Sequence, residues 1–214
     1  MPETPQLGEL NKRLKSLAHE LRAATGPCPF VVDQEAARLI ALSHYSGGRD
    51  ATYVLVSRKL VGNPPLPDVA VTIGYAPFVE GTAIIYDLTD ETMQGKARPF
   101  VCNLGGQLVR VYALMPFQIE ETALSIERVG NNQHLHVAFL DARREAIQAA
   151  LPFEMRLLAA DGNVLWTDCR ATDRRGKFFC PLESLSITLF GGGTKLVIRS
   201  RLTGHEESLL LNPG

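Results

Sequence analysis

The chain has 214 residues, 45% of them apolar, and its 22 basic and 23 acidic side chains leave a net charge of -1. That length suits one large domain or two of about 100 residues each. The charges are interspersed rather than blocked, so the chain carries neither a nucleic-acid footprint nor a polybasic membrane patch, and no window approaches the roughly eighteen uninterrupted apolar residues of a spanning helix. The N-terminal residues have no basic segment followed by an apolar one, so no export signal is read. A segment cut from a longer exported, extracytoplasmic polypeptide would look the same.

Residues 5–25 carry the clearest helical pattern. Leu7, Leu10, Leu14, Leu17, Leu21 and Ala24 form one stripe, Lys12, Arg13, Lys15, Glu20 and Arg22 occupy the other faces, and Gly26-Pro27 ends the helix. The stripe packs either on the chain's own sheet or, as a coiled-coil seam, on a second copy. From Pro29 the period changes to two. Strands are expected at 37–44, 52–58, 68–75, 82–88, 99–104 and 108–115, separated by Gly, Pro and polar turns that include 92–96. Gly105-Gly106 closes the last two of these into a hairpin, and Pro116 ends the run.

The pattern restarts after a junction at 117–121, with strands expected at 123–128, 133–140, 153–159, 164–170, 177–182, 194–202 and 206–211. Such a count in so short a stretch predicts an immunoglobulin-like sandwich. The interruption at 141–150, DARREAIQAA, is rich in helix formers and reads as a short helical connection. Asp161-Gly162 marks a tight hairpin, and a second turn at 172–176 would extend it into a three-stranded meander. If that turn is symmetric about Arg174-Arg175, Cys169 falls opposite Cys180, either as two thiols or as a bridge. Trp166, on the middle strand, is expected to pack between sheets. Cys28 and Cys102 complete the cysteines, and the absence of CxxC spacing gives no support to a zinc or redox motif.

The fold class is therefore mainly β: an N-terminal amphipathic helix (1–27), a β-sandwich (28–117) and an immunoglobulin-like β-sandwich (118–214). Two stretches carry a resemblance. ATYVLVSRK, EGTAIIYDLTDE and GGQLVRVYALMP, within residues 39–116, resemble the β-sandwich that closes many large bacterial glycoside hydrolases. HLHVAFLDARR, PFEMRLLAADGNVLW, GKFFCPL and GTKLVIRSRLTGHEESLLL, within 119–211, resemble immunoglobulin-like modules of the macroglobulin type. The resemblance implies a soluble, non-catalytic accessory module of a bacterial glycoside-hydrolase-like or cell-surface protein, and brings no catalytic residue with it. FGGGTKL at 190–196 is also similar to the joining strand of antibody light chains. Trp166 precedes both Cys169 and Cys180, however, unlike the Cys, Trp, Cys order of antibody domains, and the glycines are read instead as a bulge before an edge strand.

Several side chains are weighed for chemistry. His134 and His136 share a strand face as metal ligands can, but lack a third partner. Asp87, Asp90 and Glu91 form the best carboxylate cluster, at a strand end where turns attract Asp. Ser43-His44, Ser46, and Ser208 near His205 lack a nucleophile-elbow motif, and Gly191-Gly192-Gly193 precedes no phosphate-binding helix. Tyr45, Tyr53, Tyr75, Phe78 and Tyr86 are candidates for a glycan platform, Tyr53 being placed in the core by its alternation with Leu55. No catalytic, cofactor-binding or metal-ligating residue is assigned. The leading expectation is a structural or interaction module with a protein or glycan partner, followed by a carbohydrate-binding protein and then a hydrolase with an unrecognised site.

Overall fold

A computed structural model describes residues 15, 17, 20–23, 30–59, 70–75, 83–96, 99–105, 107–130, 132–185 and 193–211. In chain order the described strands are β1 (Arg22–Ala23), β2 (Phe30–Val31), β3 (Ile40–Ser46), β4 (Thr52–Arg58), β5 (Ala70–Tyr75), β6 (Ile84–Asp87), β7 (Thr92–Lys96), β8 (Phe100–Asn103) and β9 (Val109–Met115). They continue as β10 (Glu121–Val129), β11 (Asn132–Leu140), β12 (Pro152–Leu158), β13 (Val164–Ala171), β14 (Lys177–Pro181), β15 (Thr194–Ser200) and β16 (Glu206–Leu211). Helical structure among the described residues is short: Lys15 and Leu17 are helical, and α1 (Ala36–Leu39) and a 3₁₀ turn at Leu182–Leu185 follow. None of these is long and apolar enough to cross a membrane. The protein is mainly β.

Four antiparallel sheets result among the described residues. Residues 22–115 supply a six-stranded sheet, β1-β3-β4-β9-β6-β7, and a three-stranded one, β2-β5-β8. Residues 121–211 supply β10-β11-β14 and β13-β12-β15-β16. The six-stranded sheet is covered on both faces. Val54, Val56, Ile85, Tyr112 and Leu114 meet Phe30, Val71, Ile73, Phe100 and Cys102 of the small sheet. From the opposite face, Tyr53, Tyr86, Val111, Ala113 and Met115 join Ile119, Phe139, Ala149, Leu151, Phe153, Ile198 and Leu202 in a second core. Double coverage explains why β6 and the end of β9 read as unbroken apolar runs rather than alternating ones.

The strands after residue 120 match their expected positions to within a few residues, and Asp161-Gly162 does close the β12–β13 hairpin, with Gly162 at φ 85. The other two expected hairpins, at Gly105-Gly106 and at 172–176, are instead crossovers. After Gly105 the chain leaves β8, which pairs with β5, and enters β9, which pairs with β4 and β6. This sets Phe100 edge-on to Tyr112 at 5.1 Å across the two sheets. Likewise the turn at 172–176 carries the chain from β13, beside β12, to β14, beside β11, and sets Phe178 edge-on to Phe153 at 5.2 Å. Facing aromatic rings across a sandwich bury more surface than the same rings side by side on one sheet, and packing overrides the local hairpin signal. Cys169 therefore pairs with Glu154 and Cys180 with Leu135 in different sheets, and no disulfide forms among the described residues. Trp166 lies half-buried against the second core, on an edge strand rather than a middle one.

Other departures have local causes. Residues 36–39 are a helical turn rather than the start of a strand, since the Asp33 carboxylate accepts the Ala36 N–H at 2.7 Å. Residues 92–96 are not a turn but the edge strand β7, whose exposed side chains need no apolar character because its backbone alone pairs with β6. Residues 141–150 form no helix. Asp141 Oδ1 accepts the N–H groups of Arg143 and Glu145, Arg144 sits at φ 63, and Ile147, Ala149 and Ala150 are buried in extended chain. The strand after Gly193 is an inner one, between β12 and β16, not an edge. Of the N-terminal stripe, Leu17 is fully buried and Leu21 packs on the second core, but Arg22–Ala23 is already strand β1, so the helix stops short of residue 25. The rest of that stripe lies outside the described residues.

Candidate functional site

Each carboxylate of the Asp87, Asp90 and Glu91 cluster is engaged in an ion pair. Asp87 ends β6 facing the first core and is 1% exposed. Its Oδ1 accepts the N–H groups of Thr89 and Asp90, and Arg110 from β9 binds Asp87 at 2.6 Å and Asp90 at 2.5 Å. Burial alone would lower the Arg110 pKa, but hydrogen bonds and charge from Asp90 and Asp87 outweigh it and push the value above the arginine norm. Glu91, at φ 54, turns away from this pair to Arg201 (2.5 Å) and Arg199 (2.8 Å). Burial likewise opposes the Arg201 charge, while Glu91, Glu154 and Cys169 raise its pKa overall. The cluster thus splits: Asp87 and Asp90 share the Arg110 guanidinium and Glu91 turns to Arg199 and Arg201, so each carboxylate is engaged by an arginine. A pair working as acid and base would have to converge on one substrate-sized space.

Next to Arg110 the core holds a thiol and a phenol in contact, Cys102 and Tyr112. Burial pushes the Cys102 thiol up, with the neighbouring Tyr112 hydroxyl and the Arg110 charge opposing. Since only the thiolate attacks alkylating reagents, Cys102 is expected to stay unmodified by iodoacetamide at about pH 8 in the folded chain and to react once denaturant is added. Peptide mass mapping that found native labelling as fast as in denaturant would contradict this environment.

His134 and His136 do share the outer face of β11, away from buried Leu135, Val137 and Phe139. Opposite them on β14 is Phe179, which His134 stacks on at 4.5 Å and His136 meets edge-on at 4.5 Å, while Glu127 pairs with His136 at 3.1 Å. No group of three or more His, Cys, Asp or Glu side chains converges among the described residues. The serines and histidines lie apart. His44 meets the Phe30 ring, Ser46 Oγ donates to the Gly48 carbonyl and accepts from Arg174, and His205 pairs with Glu207. Gly193 leads into β15 instead of a helix, and Gly191 and Gly192 lie outside the described residues.

The proposed aromatic platform dissolves in part. Tyr53 and Tyr86 are buried, with Tyr53 Oη donating to the Ala150 carbonyl and Tyr86 Oη accepting from Ile119 N–H, and Tyr45 is half-buried against the second core. Phe78 and the Tyr75 side chain lie outside the described residues. Sequence reasoning missed Phe179, which is 53% exposed at the mouth of a groove of about 730 Å³ lined also by Glu20, Gln148, Asp173, Arg175 and Lys177. The signal was present in the alternation of KFFCP, which must turn one of its two phenylalanines outward.

Fold and site together define a mainly-β, antiparallel protein whose ionised side chains tie sheets to one another. No family model matches the chain, and no curated protein does. Among solved structures it is similar to Ruminococcus gnavus β-glucuronidase (9% identity, 78% of this chain and 35% of that one, TM-score 0.24) and to a putative β-galactosidase from Bacteroides fragilis (14%, 82% and 34%, TM-score 0.24). It is also similar to native α2-macroglobulin from Escherichia coli spanning domains MG0-NIE-MG1 (12%, 94% and 100%, TM-score 0.28). The chain spans about a third of the length of the first two. At such scores the likeness carries no argument about this chain.

Proposed function

We propose that the chain is a non-catalytic structural or interaction module, built as a β-sandwich (28–117) and an immunoglobulin-like β-sandwich (118–214) behind an N-terminal segment (1–27) whose helix gives way to β1, and accessory to carbohydrate-active or cell-surface machinery. The observation that carries this reading is the disposition of Asp87, Asp90 and Glu91: each is bound to an arginine that spans strands or sheets, so the charges act as fasteners. The link to carbohydrate-active machinery rests on the sequence resemblance of residues 39–116. A panel of aryl glycosides is expected to show no turnover with the purified chain. Turnover that disappears in Asp87→Asn or Glu91→Gln would overturn the proposal.

Glycan binding is the second reading, favoured by the exposed Phe179 ring beside its polar groove, the arrangement on which a sugar ring stacks. A glycan array is the direct measurement. Binding that Phe179→Ala abolishes would establish this reading over the first, and a blank array would remove it.

A further inference from the structure

Six ionised side chains close into a ring on the four-stranded sheet. Arg201 binds Glu91 at 2.5 Å and also Glu154. Arg156 reaches Glu154 at 3.3 Å and also Glu206, and Arg199 joins Glu206 (3.9 Å) to Glu91 (2.8 Å). Carboxylate and guanidinium alternate around the whole circuit, so it is neutral as a unit. Glu154, Arg199 and Glu206 are cross-strand partners on β12, β15 and β16, which makes that part of the ring a product of sheet register. Glu91 alone comes from residues 22–115, on the turn between β6 and β7.

Position gives the ring its meaning. The six-stranded sheet is pinned to the later sheets at Gly48, which bridges Ala149, with Ala150 N–H donating to the Gly47 carbonyl at 2.7 Å and Asp50 N–H to the Gln148 carbonyl at 3.1 Å. Thr52 pairs with Leu114 and Ile84 with Met115, so this pin lies past the Met115 end of β9. Asp87 pairs with Tyr112 and Leu88 N–H donates to the Val111 carbonyl, so Glu91 lies toward the opposite, Val109 end. Between pin and ring the contact is apolar apart from the Tyr53 Oη bond to the Ala150 carbonyl and the Ile119 N–H bond to Tyr86 Oη, both of which lie on the pin side of the ring, and apolar burial has no preferred direction. Paired ions add little net stability, yet they disfavour any arrangement that leaves one of them unmatched. Glu91 is also held in a left-handed conformation that a residue with a Cβ adopts only where its surroundings over-determine it.

From this geometry we infer that the ring is a clasp: Glu91 locks the six-stranded sheet against rotation over the sheets of residues 121–211 about the backbone pin at Gly48, and releasing Glu91 frees that rotation while every sheet stays folded. The test uses the full chain with spin labels on non-canonical residues at exposed Met93 of β7 and Leu210 of β16. The parent chain is expected to give one narrow distance distribution. Glu91→Gln and Arg201→Met are each expected to broaden it about twofold, as a released hinge does, with circular dichroism unchanged and the double variant no broader than either single one. An unchanged width in Glu91→Gln overturns the clasp, as does additive broadening in the double variant. Cooperative loss of β-sheet signal in Glu91→Gln does so too, because it would make the ring a support of the fold.

Discussion

Gly176→Ala is expected to cost about 3–5 kcal/mol and to lower the melting temperature by on the order of 10 °C. Gly176 ends the crossover turn between β13 and β14 at φ 79, where Asp173 Oδ1 accepts the N–H groups of Arg175 and Lys177. A Cβ there would stand 1.9 Å from the Ile147 carbonyl oxygen. The left-handed conformation alone accounts for about 1–3 kcal/mol. The remainder comes from displacing backbone, because residues 147–150 are held at once by Gly47, Asp50 and Thr172. Gly130→Ala is the control: φ is 63 there and nothing lies within 4 Å of the added methyl group, so only strain is expected, about 1 kcal/mol. Thermal denaturation of the two variants separates collision from strain. Equal losses would show that residues 147–150 yield freely.

A steep alkaline unfolding transition is the second expected result. Tyr53, Tyr86 and Tyr112 are all buried, and burial raises each phenol above its ordinary value of 10.0. Their folded pKa values exceed the unfolded one, so the stability they contribute is whole below about pH 10 and is lost as the pH rises beyond it, because only the unfolded chain then releases these protons. The slope is about 1.4 kcal/mol per pH unit for each tyrosine, or about 4 kcal/mol for the three together. Phenolate absorbance from these residues should appear only as circular dichroism is lost, and Tyr53→Phe should reduce the slope by about a third. Phenolate formation from all three in a folded chain would contradict the burial described.

The second prediction draws on positions that the sequence partly disclosed. Alternation placed Tyr53 in a core, but it could not say that this core lies between the six-stranded sheet and residues 119–202. Nor could it show that Tyr86, proposed for a surface platform, anchors the chain at Ile119. The strands after residue 120 were legible because each has one buried face and turn residues at its ends. What misled was local chemistry with two outcomes. Gly105-Gly106 and the 172–176 turn both suit a hairpin, and both became crossovers once Phe100 had to face Tyr112 and Phe178 had to face Phe153. Residues 141–150 prefer a helix in isolation and lost it to burial of Ile147, Ala149 and Ala150. The YDLTDE carboxylates were visible as a cluster, but their partners Arg110, Arg199 and Arg201 lie 20 to 110 residues away in the chain. Nothing in spacing or period reports an ion pair at such separations.

The sequence by itself determined the mainly-β class, the strand positions of residues 121–211, the Asp161-Gly162 hairpin and the inward side of Tyr53 and of Leu135, Val137 and Phe139, because these follow from backbone propensity and a period of two. Only the tertiary structure decided which strands share a sheet, that Cys169 and Cys180 lie in different sheets, that Phe179 faces outward, and that Glu91 completes a ring with residues of β12, β15 and β16. Those outcomes depend on which apolar faces meet and on how charges are matched once water is excluded, and both are properties of the packed chain.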